Sequence, residues 1–127
     1  MRLFFPNKSF IGCDMRPGTG VDRIENVHQL SFANNTVQTA LMLDTLEHVE
    51  DPLQAVIELY RVLEPGGVLL MSSVMLCQIH DYPSDYWRFT PQAFRLLLRD
   101  FDFSLVGYQG EPLFPHTVIA LGGKAPV

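Results

Sequence analysis

Residues 36–76 read TVQTALMLDTLEHVEDPLQAVIELYRVLEPGGVLLMSSVML, and this stretch decides the fold. Its two ends, 36–43 and 68–76, are nearly continuous apolar runs, as in strands that are covered on both faces. Between them, Asp51-Pro52 is a helix N-cap followed by a first-position proline, and Pro65-Gly66-Gly67 ends the helix. A helix that crosses between two buried strands predicts a βαβ unit with parallel strands. The first of these strands is therefore expected in the centre of its sheet.

Short apolar runs and amphipathic segments continue to alternate on both sides of this unit. Strands are expected at Ser9–Cys13 and Asp22–Val27, and a second helix at Thr90-Pro91. Two further strands, Phe103–Tyr108 and Thr117–Leu121, are expected to form an antiparallel pair at the sheet edge. The alternation predicts one α/β domain over residues 1–127, with a mostly parallel sheet.

Composition excludes several classes of protein. The 127 residues carry a net charge of -5, which disfavours nucleic acid as a partner. The two cysteines form no CxxC or metal-ligand spacing, which argues against a disulfide scaffold and for a reducing compartment. The chain contains no apolar run of the roughly 18 residues that a membrane helix requires. We therefore expect a cytoplasmic protein with no membrane partner.

Polar side chains follow the predicted strands at the edge where open parallel sheets bind ligands. Asp14 follows the first strand, Asn26 and Val27 the second, and Asp44 and Thr45 the third. A carboxylate at a strand tip can accept hydrogen bonds from both hydroxyls of a ribose. Aspartate is also an ordinary residue at the end of a strand. Taken alone, Asp14 is therefore better interpreted as a strand-ending residue than as a ligand-binding one.

The order of three segments, FIGCD, ENVHQLSF and LDTLEHVEDP to EPGGVLLMSS, resembles the class I S-adenosylmethionine-dependent methyltransferases, in particular the small-molecule type called type 11. The most specific part is Leu46–Gly67, and the resemblance runs from about Arg2 to Leu121. It implies a Rossmann-like three-layer sandwich with an antiparallel C-terminal edge. It also implies S-adenosylmethionine as cofactor, S-adenosylhomocysteine as product, and a small molecule as the methyl acceptor.

The resemblance also implies roles for individual residues. Asp14 would hold the ribose hydroxyls, Asn26 would meet the adenine amino group, and Val27 would offer its backbone N–H to the ring. The methionine part of the cofactor would be bordered by Leu43, Asp44 and Thr45.

Four residues are candidates for the acceptor side, namely His48, His80, Tyr86 and Trp87. Each has a structural interpretation as well, because a histidine at a helix entry is often only hydrogen-bonded, and an aromatic ring in a loop often covers the core. No catalytic residue is assigned, since methyl transfer from a sulfonium depends mainly on positioning. No metal site is expected, because His28, His80 and His116 share no ligand spacing.

The glycine-rich loop and first strand of the family have no counterpart, so the chain resembles a family member truncated at its N-terminus. The absent strand would lie between the strands that bear Asp14 and Leu43. Three arrangements would close the resulting gap. The two flanking strands pair directly, another chain supplies the missing strand, or this chain is a fragment of a longer gene product. We favour a homodimer through this gap, because an exposed apolar edge invites pairing.

Two other functions compete with methyl transfer. A truncated, catalytically inactive domain that acts as an interaction module is the main alternative. A nicotinamide-dependent dehydrogenase is disfavoured, because the sequence lacks GxGxxG and the block from LEHVEDP to EPGG has no role in such an enzyme.

Overall fold

The computed structural model describes residues 1–6 and 9–127. Two single-turn 3-10 helices, at Arg2–Phe4 and Leu46–His48, accompany the main elements. In chain order these elements are β1 (Cys13–Asp14), β2 (Arg23–Ile24), β3 (Val37–Leu43), α1 (Pro52–Val62), β4 (Leu63–Val74), α2 (Pro91–Leu97), β5 (Phe103–Glu111) and β6 (Phe114–Gly123).

The strands form two sheets. The larger sheet has the order β3-β4-β6-β5, and the smaller sheet contains β1 and β2. Strands β3 and β4 are parallel, with Ala40 opposite Leu69 and Leu43 opposite Ser72. The predicted βαβ unit is therefore confirmed. Strand β6 runs antiparallel to both β4 and β5, which confirms the antiparallel C-terminal edge.

Both helices begin as the sequence predicts. The Asp51 carboxylate accepts a hydrogen bond from the Gln54 backbone N–H at 3.0 Å, and the Thr90 hydroxyl accepts one from Ala93 at 3.1 Å. A proline occupies the first turn of each helix, where its missing N–H costs no hydrogen bond. These caps define where α1 and α2 start.

The core lies between the larger sheet and the two helices, which cover the same face of that sheet. Alternate residues of β3, β4 and β6 point into it, so its sheet side follows the two-residue period of a strand. Ile57 of α1 is exposed and lies outside this core. The main members of the core are Ala40, Met42, Leu69, Met71, Val118 and Ala120 from the sheet, and Ala55, Val56, Leu59, Phe94 and Leu98 from the helices or their ends.

The opposite face of the larger sheet is also apolar, but the described residues place no helix on it. Leu70 and Leu121 are half-buried there, and Leu105 and Ile119 are exposed. The α/β fold is thus confirmed, with the sheet and one helical layer supplied by the described residues. No helix in this part of the chain is long and apolar enough to cross a membrane.

Three details of the predicted architecture need correction. Strands β1 and β2 contain two residues each, so Ser9–Gly12 lies outside the strand expected there. Strand β3 lies at the edge of its sheet rather than in the centre, because among the described residues only β4 pairs with it. Direct pairing of the first and third strands is therefore not how the gap is closed. The turn after β5 is also shorter than expected, because β5 and β6 extend to Glu111 and Phe114.

Candidate functional site

The Asp14 and Asn26 backbones are brought together by pairing of the two short strands. The Asp14 carbonyl accepts a hydrogen bond from the Glu25 backbone N–H at 2.9 Å, and Asn26 is the next residue. The Asp14 side chain is exposed, and its Oδ1 accepts a hydrogen bond from the Arg16 N–H at 2.9 Å. Within the described residues, Oδ2 has no donor. Asp14 thus offers a free carboxylate oxygen at the strand tip.

Asn26 is connected to the start of α1 through His28. Its side-chain oxygen accepts the His28 backbone N–H at 3.0 Å and lies 2.9 Å from the ring Nδ1. The His28 Nε2 in turn accepts a hydrogen bond from the Asp51 backbone N–H at 3.1 Å. Since the oxygen of Asn26 is engaged twice, its amide nitrogen remains available as a donor. This relay places Asn26 beside the segment that follows β3.

Glu25 is a buried residue that supports β2, and its role is not evident from the sequence. Its buried carboxylate accepts hydrogen bonds from both the backbone N–H and the hydroxyl of Ser31, and it pairs with Arg23. Burial alone would raise the pKa of Glu25, but the bonds from Ser31 and the charge of Arg23 hold it below its ordinary value. Glu25 thereby ties β2 to the loop that follows it.

The chain turns sharply at the carboxyl end of β3. Asp44 has a left-handed backbone with φ of 46°, a conformation that is uncommon outside glycine. Its backbone N–H donates to the Ser72 carbonyl at 2.9 Å, and its carboxylate accepts a bond from the Ser72 hydroxyl at 2.9 Å. The Thr45 hydroxyl donates back to the Leu43 carbonyl at 2.9 Å. Leu43–Thr45 is therefore a rigid corner rather than a mobile loop.

A carboxylate and two imidazoles meet just beyond this corner; we call Glu47, His48 and His80 the Glu47 cluster. The Glu47 side chain is only 1% exposed, and its Oε2 accepts a hydrogen bond from the Ser73 hydroxyl. Its Oε1 lies 3.9 Å from the His48 Nε2 and 3.8 Å from the His80 Nε2. The two rings stand edge to face with centroids 4.7 Å apart. Two predicted acceptor-side residues are thus brought together around a glutamate to which no role had been assigned.

Loop 77–89, between β4 and α2, carries His80 and is fixed by an ion pair. The Arg88 guanidinium binds both oxygens of Asp85, and Asp85 Oδ2 also accepts the His80 backbone N–H at 2.8 Å. The hydrogen bonds from Arg88 and His80 hold the pKa of Asp85 well below its usual range. Arg88 also donates to the Cys77 carbonyl at 3.1 Å.

Tyr86 and Trp87 attach the same loop to the segment after β3. Their backbone N–H groups both point to the Glu47 carbonyl, at 2.8 and 3.3 Å. The indole N–H of Trp87 donates to the Val49 carbonyl at 2.8 Å, and the Tyr86 hydroxyl donates to Glu50 at 3.4 Å. All four predicted acceptor-side residues therefore lie in one region. The same region also contains Glu47, Ser73, Asp85 and Arg88. The sequence signal that could have pointed to these residues was Glu47, because it lies directly beside His48.

The family model described as a methyltransferase domain, of type 11, matches residues 8–71, half of the chain. The chain belongs to this methyltransferase family. An uncharacterized methyltransferase of Schizosaccharomyces pombe is 33% identical over 64 residues, which are 50% of this chain and 23% of the relative. The demethylmenaquinone methyltransferase of Protochlamydia amoebophila is 41% identical over 46 residues, 36% of this chain and 19% of the relative.

Solved structures of methyltransferases share the fold. An S-adenosylmethionine-dependent methyltransferase from Archaeoglobus fulgidus superimposes with a TM-score of 0.72 at 10% identity, covering 90% of this chain and 75% of that one. A second, from Thermotoga maritima, has a TM-score of 0.65 at 21% identity and covers 83% of this chain and 65% of that one. The Rossmann-like class I architecture is thus shown for this methyltransferase domain. The matches to the two curated relatives span about a fifth of their length.

Proposed function

We propose that this methyltransferase domain binds S-adenosylmethionine at the carboxyl ends of β1, β2 and β3 and transfers its methyl group to a small molecule. The observation that supports the proposal is the backbone pairing of Asp14 with Glu25, because Asp14 has a free carboxylate oxygen and Asn26 follows Glu25 directly. A nucleoside needs this combination, because a ribose presents two hydroxyl donors and adenine presents ring nitrogens a few ångströms away.

The described residues fit the adenosine half of the cofactor. The free Oδ2 of Asp14 suits a ribose hydroxyl. The amide nitrogen of Asn26 and the backbone N–H of Val27 are donors that suit the acceptor nitrogens of adenine. This differs from the role that the family resemblance implies for Asn26, because His28 already engages its side-chain oxygen. The Asn26 amide would therefore donate a hydrogen bond to a ring nitrogen of adenine rather than accept one from the adenine amino group.

The methionine half has less support within the described residues, where no glycine-rich loop follows a strand to approach it. The corner Leu43–Thr45 would form one wall beside it. When bound, S-adenosylmethionine would supply an electrophilic methyl group on a sulfonium. The protein's contribution would be to position the acceptor, since alignment of donor and acceptor lowers the barrier to such a displacement.

In this proposal the acceptor binds at the Glu47 cluster and at the aromatic side chains of loop 77–89. Tyr86 and Trp87 are both partly exposed, so their rings are available to contact a ligand. The net charge of -5 favours a small acceptor over a nucleic acid. Cys13 and Cys77 are free thiols, which supports placing this reaction in the cytoplasm.

Calorimetric titration with S-adenosylhomocysteine tests the cofactor site. We expect the Asp14→Ala variant to bind at least ten times more weakly than the native chain, because it loses the ribose acceptor. Asp100→Ala, which removes an exposed carboxylate from the turn after α2, is the matched control and should bind as the native chain does. If Asp14→Ala binds with unchanged affinity, the cofactor assignment is wrong. No binding by any of the three proteins would favour the inactive interaction module.

A further inference from the structure

We propose that Glu47, His48 and His80 form a binding site for a divalent transition-metal ion of the Zn²⁺ type. One potential ligand atom from each residue lies within 4.8 Å of the other two, and Glu47 Oε1 is 3.9 Å from the His48 Nε2 and 3.8 Å from the His80 Nε2. Two imidazoles and one carboxylate are a ligand set that catalytic zinc sites use, with a fourth position left open.

The hydrogen bonds of the two histidines leave both Nε2 atoms free to coordinate an ion. His48 Nδ1 lies 2.5 Å from the Ser84 carbonyl oxygen, and His80 Nδ1 lies 3.0 Å from the Gln78 carbonyl oxygen. A carbonyl can only accept, so each Nδ1 must carry the proton. In the neutral ring this leaves Nε2 unprotonated and able to coordinate. Metal-bound histidines are oriented by the same kind of bond from their second nitrogen.

The Glu47 carboxylate supplies the charge. Its Oε2 is anchored by Ser73, whereas Oε1 has no hydrogen-bond donor within the described residues, since both Nε2 atoms are farther than 3.5 Å away. The nearby cation, Arg88, is already committed to Asp85 through two hydrogen bonds. No fully buried side-chain oxygen of the described residues lacks a partner, so Oε1 is reached by solvent, and a carboxylate with so little hydration is stabilised when a cation compensates its charge. A metal ion between Oε1 and the two lone pairs provides that compensation.

The distances suit an ion of this size after a small adjustment. Zinc bonds of about 2.0 to 2.2 Å place neighbouring ligand atoms roughly 3.4 Å apart in a tetrahedral site. The separations of 3.8 and 3.9 Å from Oε1 are slightly wider than this. Side-chain displacements of about half an ångström bring these two separations to that value, and the histidine ligand atoms lie within 4.8 Å of each other. Imidazole ligands favour Zn²⁺ over Mg²⁺, which prefers oxygen ligands and retains water.

Three protein ligands leave the fourth position of a tetrahedral ion open. A metal ion there would bind an oxygen or nitrogen atom of the acceptor and orient it; this part of the inference rests on the proposed function. Metal binding itself does not, because the three ligands come from the segment after β3 and from loop 77–89. None of the residues proposed to contact adenosine is among them.

Titration of the whole chain with Zn²⁺, after removal of any polyhistidine tag and of bound metal, tests the site. We expect one ion per chain, and at least tenfold weaker binding by His80→Ala and by Glu47→Gln. His116→Ala removes an exposed histidine from β6 and should leave Zn²⁺ binding unchanged. Mg²⁺ should not compete at equal concentration. Co²⁺ should bind in place of Zn²⁺ and give visible absorption bands that His80→Ala abolishes.

Two results would overturn the metal site. One is a native chain that takes up no Zn²⁺ at 100-fold excess over about 1 μM protein. The other is a His80→Ala variant that folds, by circular dichroism, and binds Zn²⁺ as tightly as the native chain. Titration with S-adenosylhomocysteine in the presence of a chelator keeps this test separate, since failure of the metal site leaves nucleoside binding unaffected.

Discussion

Arg88 binds both carboxylate oxygens of Asp85, with 2.6 Å between Nη1 and Oδ1 and 3.0 Å between Nη2 and Oδ2. The same carboxylate accepts the backbone N–H of His80 at 2.8 Å. An ion pair within loop 77–89 therefore sets the position of a histidine in the Glu47 cluster. Through the Cys77 carbonyl, Arg88 also connects the two ends of the loop.

The first prediction is that loss of this ion pair weakens loop 77–89. Arg88→Ala should lower the melting temperature, because the Asp85 side chain, only 2% exposed, loses its cation. Arg88→Lys should recover only part of the loss, since a lysine cannot form the paired bonds of a guanidinium. Arg99→Ala, at an exposed pair 3.8 Å from Asp100, is the control and should change little. Equal melting temperatures for Arg88→Ala and Arg99→Ala would refute this prediction.

The second prediction concerns acid stability and Glu58. The hydrogen bonds from Arg61 lower the pKa of Glu58 in the folded protein below its ordinary value of 4.5. Because the pKa of Glu58 is lower in the folded protein than in the unfolded chain, its ionised form contributes to the stability of the fold. That contribution is complete above the pKa of the unfolded chain and is lost as the pH falls through the pKa of the folded protein. We expect native stability to decline below about pH 4.5.

The Glu58→Gln variant should show a weaker decline in urea unfolding curves measured between pH 6 and pH 3. The control is Glu111→Gln, which alters an exposed residue at the end of β5 and should retain the native pH dependence. Parallel curves for the native chain and Glu58→Gln would contradict the prediction.

The third prediction uses two glycines that lie in neighbouring strands. A Cβ added at Gly122 would lie 2.6 Å from the ring of Phe101 and 3.0 Å from Leu98, both of which are buried. Gly122→Ala should therefore destabilise the fold by about 1 to 3 kcal/mol through overpacking. At Gly107 an added Cβ meets no atom within 4 Å. Gly107→Ala should stay within about 0.5 kcal/mol of the native chain in chemical denaturation.

The fourth prediction is weak cofactor binding by this chain. The described residues offer contacts to adenosine but no glycine-rich backbone for the methionine group. Each lost hydrogen bond to a charged group costs about 1.5 to 3 kcal/mol, so one or two of them weaken binding ten- to a thousandfold or more. We expect a micromolar or weaker dissociation constant for S-adenosylhomocysteine. A submicromolar value in calorimetry would be incompatible with this reasoning.

The fifth prediction is that the chain self-associates through the unpaired edge of β3. An exposed apolar edge strand is a template for pairing with a second copy, and a charge on that edge opposes it. Light scattering at tens of micromolar should show a dimer that Thr39→Lys shifts to monomer. Ser104→Lys places the same charge on β5, the opposite edge, and should leave the dimer intact. A native chain that is strictly monomeric at this concentration would exclude the homodimer.

Local signals account for the parts of the fold that were predicted correctly. Asp51-Pro52 and Thr90-Pro91 start helices because a side-chain oxygen satisfies an N–H that the helix leaves free. The apolar runs on either side of α1 could reach each other in parallel only through a helical crossover. Asp14 and Asn26 stand at strand tips because each ends or follows its own strand, a property that a sequence displays directly.

Features that depend on distant partners were decided by the tertiary structure. The apolar pattern of β3 suits a strand covered on both sides, but whether a second strand lies beside it depends on other segments, so its edge position could not be foreseen. The Glu47 cluster depends on the same kind of distant contact. His80 reaches His48 only because loop 77–89 folds back onto the segment after β3, held there by hydrogen bonds to the Glu47 and Val49 carbonyls. The spacing of residues along the chain does not predict such a contact, because it is created by hydrogen bonds between residues that are far apart in the sequence.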